Sequence, residues 1–156
     1  MKEALLYKNL TPPAGGASEK VQCNACNHHC IISEGKRGIC GARENREGRL
    51  YSLVYGKIIA EHIDPIEKKP LYHFLPGTFS LSIATIGCNF RCLHCQNAEI
   101  SCAPTSKSVE GKTRTPEEIV DDALKNNCPS ISYTYTEPTI FVEFALDCMK
   151  LAHKRG

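Results

Sequence analysis

The placement of the cysteines constrains this chain more than any other feature of its sequence. Ten of its 156 residues are cysteines, and most of them fall in two tight groups. The first group is Cys23, Cys26, Cys30 and Cys40, and the second is Cys88, Cys92 and Cys95, with Cys102 shortly after it. The first residues contain no apolar stretch of signal-peptide length, which predicts a cytoplasmic protein with reduced thiols. Two thiol clusters in a reducing compartment favour metal binding over disulfides.

Charge and composition exclude several classes of protein. The chain has 19 basic and 17 acidic residues and a net charge of +2, and no block of like charges runs through it. This balance argues against nucleic acid as a partner. No run of about eighteen apolar residues is present, so no membrane span is expected. With 42% hydrophobic residues, the chain has the composition of an ordinary globular domain.

The sequence divides into three parts. Residues 1–20 end in the Pro/Gly/Ser-rich run TPPAGGASEK and are predicted to form a flexible lead-in. Residues 21–78 combine the first cysteine group with turn glycines and with strand-like runs at 50–55 and 57–62, which predicts a small cysteine-rich metal-binding β module. From residue 79 to residue 156 the pattern changes to longer elements.

Residues 79–156 read as strand, helix, strand, helix. The run FSLSIATIG predicts a strand whose end delivers Cys88. Thr115 and Glu118 match a capping box and open a helix that should end near 126–127. A second strand in SISYTYTEP precedes a helix that starts from Thr139. This alternation predicts an α/β fold with a parallel sheet built from β/α units.

The length of this part predicts an incomplete barrel. A closed eight-unit β/α barrel uses about 250 residues, or about 31 per unit. Residues 79–156 can therefore supply only about two to three units. We expect the chain to be the first portion of a longer protein and to be inactive alone.

The spacing C-x3-C-x2-C of Cys88, Cys92 and Cys95 predicts an iron-sulfur cluster. Three thiolates bind three of the four irons of a 4Fe-4S cube and leave the fourth iron open, as in a catalytic metal centre. The alternative is a zinc ion held by the same three thiols with Cys102 or His94. Zinc sites more often use paired C-x2-C knuckles, so the spacing favours the cluster.

This loop resembles the cluster-binding loop of the radical S-adenosylmethionine (SAM) superfamily. The stretches CGARENREGRLYSLVYGKI, DPIEKKPLYHFLPGTFSLSIATIGCNFRCLHCQNAEIS and SYTYTEPTIF are similar to AmmeMemoRadiSam-system radical SAM enzymes, relatives of pyruvate formate-lyase activating enzymes. The resemblance implies a partial (β/α) radical SAM barrel, with a 4Fe-4S cluster and SAM as cofactors. It also implies an oxidoreductase-type enzyme that takes an electron from an external donor and splits SAM reductively. The resulting 5′-deoxyadenosyl radical would abstract hydrogen from a substrate that the residues do not identify.

The same resemblance implies roles for three further residues. His94 takes the place of a residue that contacts the adenine of SAM. The family's Gly-Gly-Glu-Pro segment, which binds the SAM amino group, corresponds here to Tyr135-Thr136-Glu137-Pro138, without either glycine. Glu137 is therefore a candidate for the ammonium contact and Thr136 for a backbone contact. Glu137 is equally well interpreted as an acid that stabilises a helix N-terminus.

The first cysteine group offers four thiolates within eighteen residues. Four sulfur ligands suit zinc or a second iron-sulfur cluster, and the spacing does not choose between them. His28 and His29 are expected to be solvent-facing loop residues. Cys102, Cys128 and Cys148 are interpreted as ordinary thiols.

Two other classes of function stay open from the sequence. The relation to activating enzymes suggests an activase of glycyl radical enzymes, acting on a protein, and the family name suggests Memo- and AMMECR-type proteins as partners. A zinc- or iron-sulfur-stabilised binding or electron-transfer module is the alternative from another class, with Cys102 as the fourth cluster ligand in the electron-transfer case. Lys68 and Lys69 are interpreted as solvated surface residues, although a role near the site is possible because they precede the cluster loop.

Overall fold

The computed structural model describes residues 1–10, 19–102 and 108–156. The strands of these residues are β1 (Lys2–Glu3), β2 (Tyr7–Asn9), β3 (Lys20–Cys23), β4 (Ile31–Ser33), β5 (Arg43–Arg46), β6 (Arg49–Ser52), β7 (Lys57–Pro65), β8 (Phe79–Thr85), β9 (Lys112–Thr113) and β10 (Ser130–Tyr133). The α-helices are α1 (Ala98–Ser101), α2 (Pro116–Lys125) and α3 (Val142–Lys154), and two 3₁₀ turns cover Ile66–Lys68 and Pro138–Phe141.

The N-terminal part contains two small antiparallel sheets with the strand orders β1-β6-β5 and β2-β3-β4. The prediction of a flexible lead-in is wrong for residues 2–9, because β1 pairs with β6 and β2 pairs with β3. Ala4, between these strands, is 5% exposed and donates its N–H to the carbonyl of Leu50 at 2.8 Å. The Pro/Gly/Ser-rich run over residues 11–18 lies outside the described residues.

The second part is built on a mixed sheet with the order β10-β8-β7-β9. β10 and β8 are parallel, as predicted, but β7 runs antiparallel along β8 from Ile58 opposite Thr85 to Pro65 opposite Phe79. A boundary between residues 78 and 79 therefore separates two strands of one sheet. β7 belongs with β8 because Ile58 shares a core with Leu81.

Helices α2 and α3 cover one face of this sheet. The capping box is confirmed: the Thr115 hydroxyl accepts from the N–H of Glu118 at 3.2 Å, and the Glu118 carboxylate accepts from the N–H of Thr115 at 2.8 Å. α2 ends with Asn126 as its C-cap, as predicted. The core between helices and sheet is formed by Ile58, Leu81, Ile83, Ile119, Ala123, Cys128, Phe144 and Cys148.

The cysteine-rich part and the β/α part share buried surface. One apolar cluster takes members from both parts: Cys40, Ala42, Val54, Ile86, Ile140, Phe141 and Ala145. Beside it, Arg43 and Glu143 form a buried bidentate ion pair with N···O distances of 2.8 and 2.9 Å. A charge pair without water contact has to stay together, because separating the partners would leave a buried charge uncompensated. The two parts are therefore held in contact by packing and by charge.

Across the described ranges, we find no helix with the length and apolar character needed to cross a bilayer.

Candidate functional site

The three cysteines of the second group lie on an irregular loop that begins directly after β8. Cys88 is buried, Cys95 is half-buried and Cys92 is exposed. The N–H of Phe90 points to the Cys88 sulfur at 3.4 Å, and the Cys95 sulfur lies 3.4 Å from the Ser101 hydroxyl. The predicted strand thus places the first thiol at the carboxyl end of the sheet, and the loop presents the other two nearer to solvent.

The cysteine-rich part holds this loop by two hydrogen bonds. His28 Nε2 lies 2.8 Å from the Asn89 carbonyl, to which it can donate. Arg91 donates to the carbonyl of Ile39 at 2.5 Å and to that of Cys88 at 2.8 Å. His28 is exposed, as predicted, but it is not merely a solvent-facing loop residue. Sequence reasoning missed this contact because it joins residues 61 positions apart.

The segment Tyr135 to Pro138 lies beside the same loop. Because β10 and β8 are parallel neighbours, the residues after each strand emerge at the same edge of the sheet. The Thr136 hydroxyl donates to the carbonyl of Thr85, the last residue of β8, at 3.0 Å. From the cysteine loop, the Asn97 amide donates to the Tyr135 carbonyl at 3.0 Å. The two sequence motifs are therefore neighbours in space.

Glu137 uses its carboxylate to cap the turn that precedes α3. Its Oε1 accepts from the Thr139 hydroxyl at 2.6 Å and from the Thr139 N–H at 3.4 Å. This is the N-terminal role that the sequence offered as the alternative to an ammonium contact. Thr136 is 6% exposed, and its side chain is engaged with β8. His94 is exposed on the loop.

Tyr135 has the backbone conformation of a glycine. Its φ of 63° lies in the left-handed region, which residues other than Gly, Asn and Asp seldom adopt. This position corresponds to the first glycine of the family's Gly-Gly-Glu-Pro segment. Tyr135 therefore differs from the family's glycine in its side chain, but its backbone has a conformation in which glycine would be unstrained.

The side chain of Tyr135 belongs to a polar cluster around the buried carboxylate of Asp64, which the sequence did not predict and which we call the Asp64 cluster. Its hydroxyl donates to Asp64, which also forms ion pairs with Lys68 at 2.7 Å and Lys69 at 2.6 Å. Burial raises the pKa of Asp64, but the hydrogen bonds from Lys68, Lys69 and Tyr135 outweigh burial and hold this pKa well below its usual range. Burial, followed by the bond to Asp64, raises the pKa of Tyr135 to about 12. The interpretation of the lysines as solvated surface is wrong for Lys69, whose side chain is 11% exposed.

A cleft of ≈ 510 Å³ opens between the cysteine-rich part and the two motifs. Its lining includes Cys26, His28, Asn89, Phe90, Glu137 and Thr139. We call it the interface cleft. One wall comes from the loop of the first cysteine group. The opposite wall comes from the Glu-Pro segment and from the loop that carries Cys88, Cys92 and Cys95, which we call the cluster loop. A ligand beside Glu137 would therefore contact residues that lie outside the β/α part.

The four cysteines of the first group line one small cavity, which we call the thiol cavity. Cys23 and Cys40 are buried, and Cys26 and Cys30 are half-buried. Burial raises the pKa of both Cys23 and Cys40 above the usual thiol value. The four thiols that are close in the sequence thus border the same cavity.

The donor set of the second group fits a 4Fe-4S cluster. Within the described residues, no three His, Cys, Asp or Glu side chains are placed to hold a single metal ion. A zinc ion at the second group would therefore need these side chains to turn, as would any single-ion site among the described residues. A cube engages each thiolate through a different iron, so its ligands do not have to meet at one point. Three thiols on one partly exposed loop are the ligands such a cluster needs.

Comparison with known proteins agrees with these motifs. Residues 82–156 match the Radical SAM superfamily. This match begins within β8 and contains the cysteine loop and the Glu-Pro segment, and it supports membership of the radical SAM superfamily. The chain is also 51% identical, over all of its length, to the uncharacterized protein MJ0808 of Methanocaldococcus jannaschii. It spans 45% of that relative's length. No solved structure matches the chain.

Proposed function

We propose that this chain carries the cluster- and SAM-binding part of a radical SAM enzyme of the AmmeMemoRadiSam type. The observation that carries the proposal is the placement of the Cys88 to Cys95 loop beside the segment containing Glu137. Both follow parallel neighbouring strands, and the bond from Asn97 to Tyr135 joins them. The residues that we propose as cluster ligands therefore lie near those that we propose as SAM contacts.

Cys88, Cys92 and Cys95 would hold the cluster, and the chemistry that it supplies when bound is one-electron reduction of the SAM sulfonium. The residues of the chain have the remaining tasks. The Asp64 cluster fixes Tyr135 and with it the backbone that leads to Glu137. Both bonds from Thr139 go to Glu137 Oε1, so Oε2 is the oxygen that would meet an ammonium group while Oε1 keeps the turn capped. His28 and Arg91 restrict the movement of the cysteine loop.

The proposal is tested by cluster reconstitution of the full-length protein under anaerobic conditions. We expect about four irons for each Cys88/Cys92/Cys95 triad. We also expect an electron paramagnetic resonance signal that changes on addition of SAM, and 5′-deoxyadenosine formation with dithionite. The control is the variant in which all three cysteines of the second group are replaced by alanine. A protein that holds the cluster and forms no 5′-deoxyadenosine would refute the proposal.

One contact favours an alternative, a fully ligated electron-transfer cluster. The Ser101 hydroxyl lies 3.4 Å from the Cys95 sulfur and 3.8 Å from the Cys102 sulfur, so Cys102 is close to the second group. If Cys102 were a fourth ligand, no iron would be open to SAM. Cys102→Ser would then destroy the cluster, whereas our proposal expects the cluster and the SAM-dependent spectral change to persist.

The substrate and the partners are proposed by chemical class. We propose an external one-electron donor and a substrate that loses a hydrogen atom to the 5′-deoxyadenosyl radical. Memo- and AMMECR-type proteins are proposed partners through the family resemblance alone. A protein substrate, as for activases of glycyl radical enzymes, is an analogy from fold and cofactor. We further propose that the β/α units described here are part of a longer barrel, because the chain spans 45% of the length of its relative MJ0808.

A further inference from the structure

The four cysteines that line the thiol cavity lie outside residues 82–156, the region that matches the superfamily, and the proposed function does not use them. Their four sulfurs come from two loops and the ends of two strands, yet they surround one space. Within that space, the volume that the centre of a water molecule can occupy is ≈ 10 Å³. A cavity needs about 10–15 Å³ on this measure to hold one water. Its size therefore suits a single atom, and a four-iron cube would not fit without expansion.

Two buried polar atoms at the thiol cavity lack partners. Arg43 is 1% exposed and Asn89 is 7% exposed, and both line the cavity. Among the described residues, neither Arg43 Nε nor Asn89 Oδ1 has a hydrogen-bond partner. Unpaired buried polar atoms are costly, so they indicate something that the protein normally accommodates there. The other two guanidinium nitrogens of Arg43 bond Glu143, and one of them also donates to the Thr139 carbonyl at 3.5 Å, so Nε is the nitrogen without a partner among the described residues.

A guanidinium beside four sulfurs has a specific chemical meaning. Four thiolates around a divalent ion carry a net charge of −2, which a buried site tolerates only with compensation. An N–H donor next to metal-bound sulfur supplies such compensation and orients the ligand. Arg43 lines the thiol cavity together with the four cysteines, so its unpaired Nε–H is available on the side of the sulfurs while its other nitrogens bond Glu143.

Gly38 leaves room beside one of the sulfurs. A Cβ added at this position would lie 3.7 Å from the Cys30 sulfur and 3.3 Å from Ile32 Cδ1. The second distance is tighter than ordinary van der Waals contact, so a side chain here would push into the cavity. Glycine thus preserves the space that the thiols enclose.

From these observations we propose that Cys23, Cys26, Cys30 and Cys40 bind one divalent metal ion of the zinc class in a tetrahedral four-thiolate site. Zinc is the ion that most often fills a closed Cys₄ site. Since no three side chains of the described ranges converge as they stand, the thiols must turn about their Cα–Cβ bonds toward the cavity to close the site.

The site would also support the cluster loop. Asn89 lines the thiol cavity and follows Cys88 directly, and His28, which lies between Cys26 and Cys30, bonds the Asn89 carbonyl. Fixing the 26–30 loop on a metal would therefore fix His28 against the cluster loop. This consequence rests on the proposed function, whereas the metal site does not.

The test is metal analysis of purified full-length protein in which Cys88, Cys92 and Cys95 are all replaced by alanine. This background removes the proposed catalytic cluster, so the two proposals fail independently. We expect about one zinc per chain to remain, and we expect Cys26→Ser or Cys30→Ser to remove it. These two cysteines are half-buried, so their substitution is less disruptive than that of Cys23 or Cys40. Cys102→Ser is the matched control and should retain the metal.

A second measurement covers the case in which a variant fails to fold. Cobalt(II) is substituted into the same triple-alanine background, and its absorption spectrum is recorded. Thiolate-to-cobalt charge-transfer bands together with intense tetrahedral ligand-field bands support the site. Iron with stoichiometric sulfide in this background would overturn the single-ion proposal in favour of a second cluster. A folded protein that binds neither zinc nor cobalt, with these four thiols free to react, would overturn the site altogether.

Discussion

The two cysteine groups of this chain differ in how their thiols meet the solvent. The first group surrounds one enclosed cavity, with two sulfurs buried and a guanidinium beside them. The second group lies along a loop with one exposed sulfur, beside an open cleft of ≈ 510 Å³. Structural metal sites are closed by protein ligands, and catalytic sites keep a position open. The difference in enclosure therefore supports the proposals made above, a structural role for the first group and a chemical role for the second.

The two cysteine groups are also connected by direct contacts. The loops of the first group contact the cluster loop through His28 and Ile39, and Arg43 connects them to α3 through Glu143. An open site needs fixed walls, because water must be excluded when SAM is bound. The closed group is placed where it can supply such a wall.

The largest effect is expected from Cys92→Ala. This residue is exposed, so the substitution should change the free energy of unfolding of the cluster-free protein by no more than about 0.5 kcal/mol. One iron ligand is lost, so 5′-deoxyadenosine formation should fall to background. Cys30→Ser, in the first group, should have the opposite pattern of effects. It should lower the midpoint of urea unfolding and leave measurable SAM cleavage. Equal effects of both variants on both measurements would contradict the assignment.

The second prediction concerns the ion pair that joins the two parts. Arg43→Met leaves the carboxylate of Glu143 buried without its partner, which should cost about 3–5 kcal/mol in unfolding free energy. The double variant Arg43→Met/Glu143→Leu should recover much of this loss, because no charge is then left unpaired. Urea denaturation of metal-free protein measures both.

Arg155 provides the control for this prediction. It forms an ion pair with Asp121 in which both side chains are about two-fifths exposed (41% and 42%). Arg155→Ala should therefore cost less than about 1 kcal/mol. If Arg43→Met were as mild as this control, the buried pair would not hold the cysteine-rich part in place.

Local signals in the sequence predicted the elements well, and long-range contacts account for what it missed. The capping box at Thr115 and the strand before Cys88 depend on neighbouring residues, so their patterns are readable. The pairing of β7 with β8 crosses the predicted domain boundary, and no periodicity marks which sheet a strand joins. The Asp64 cluster was missed for the same reason, since Tyr135 is 71 positions away.

For the candidate site, spacing predicted the thiols and the resemblance predicted the Glu-Pro segment. Their proximity became visible only through the parallel register of β10 and β8. The roles of Cys88, Cys92, Cys95, His94, Thr136 and Glu137 in binding cofactors stay predictions. His28 carried no signal, because an exposed loop histidine looks the same in sequence whether or not it bonds a distant carbonyl.

The third prediction tests what holds the open site, where polar bonds take the place of metal ligands. Tyr135→Phe removes the hydroxyl that donates to Asp64, and a bond to a charged group contributes about 1.5–3 kcal/mol. The tyrosine's pKa is about 12 when folded and about 10 when unfolded. Its contribution to stability is therefore complete below pH 10 and is lost as the pH rises toward 12.

Urea denaturation at several pH values measures this dependence. The stability difference between the wild type and Tyr135→Phe should be largest near neutral pH and should shrink between pH 10 and pH 12. Burial raises the pKa of Tyr55 and Tyr133 as well, so their titration remains in both proteins and cancels in the difference. A difference that grew with pH in this range would show that the phenol does not donate to Asp64.

The smallest effect is expected where the closed group contacts the open one. His28→Ala removes a single hydrogen bond to the Asn89 carbonyl, which should lower the unfolding free energy by about 1 kcal/mol. His29→Ala is the matched control. His29 is the exposed neighbour of His28, and its side chain bonds within its own loop, to Asn24 at 3.3 Å. Amide hydrogen exchange of the Cys88 to Cys92 stretch should quicken in His28→Ala and stay unchanged in His29→Ala. Such a local change would show that the enclosed group restrains the cluster loop; an identical response in both variants would mean that His28 does not restrain it.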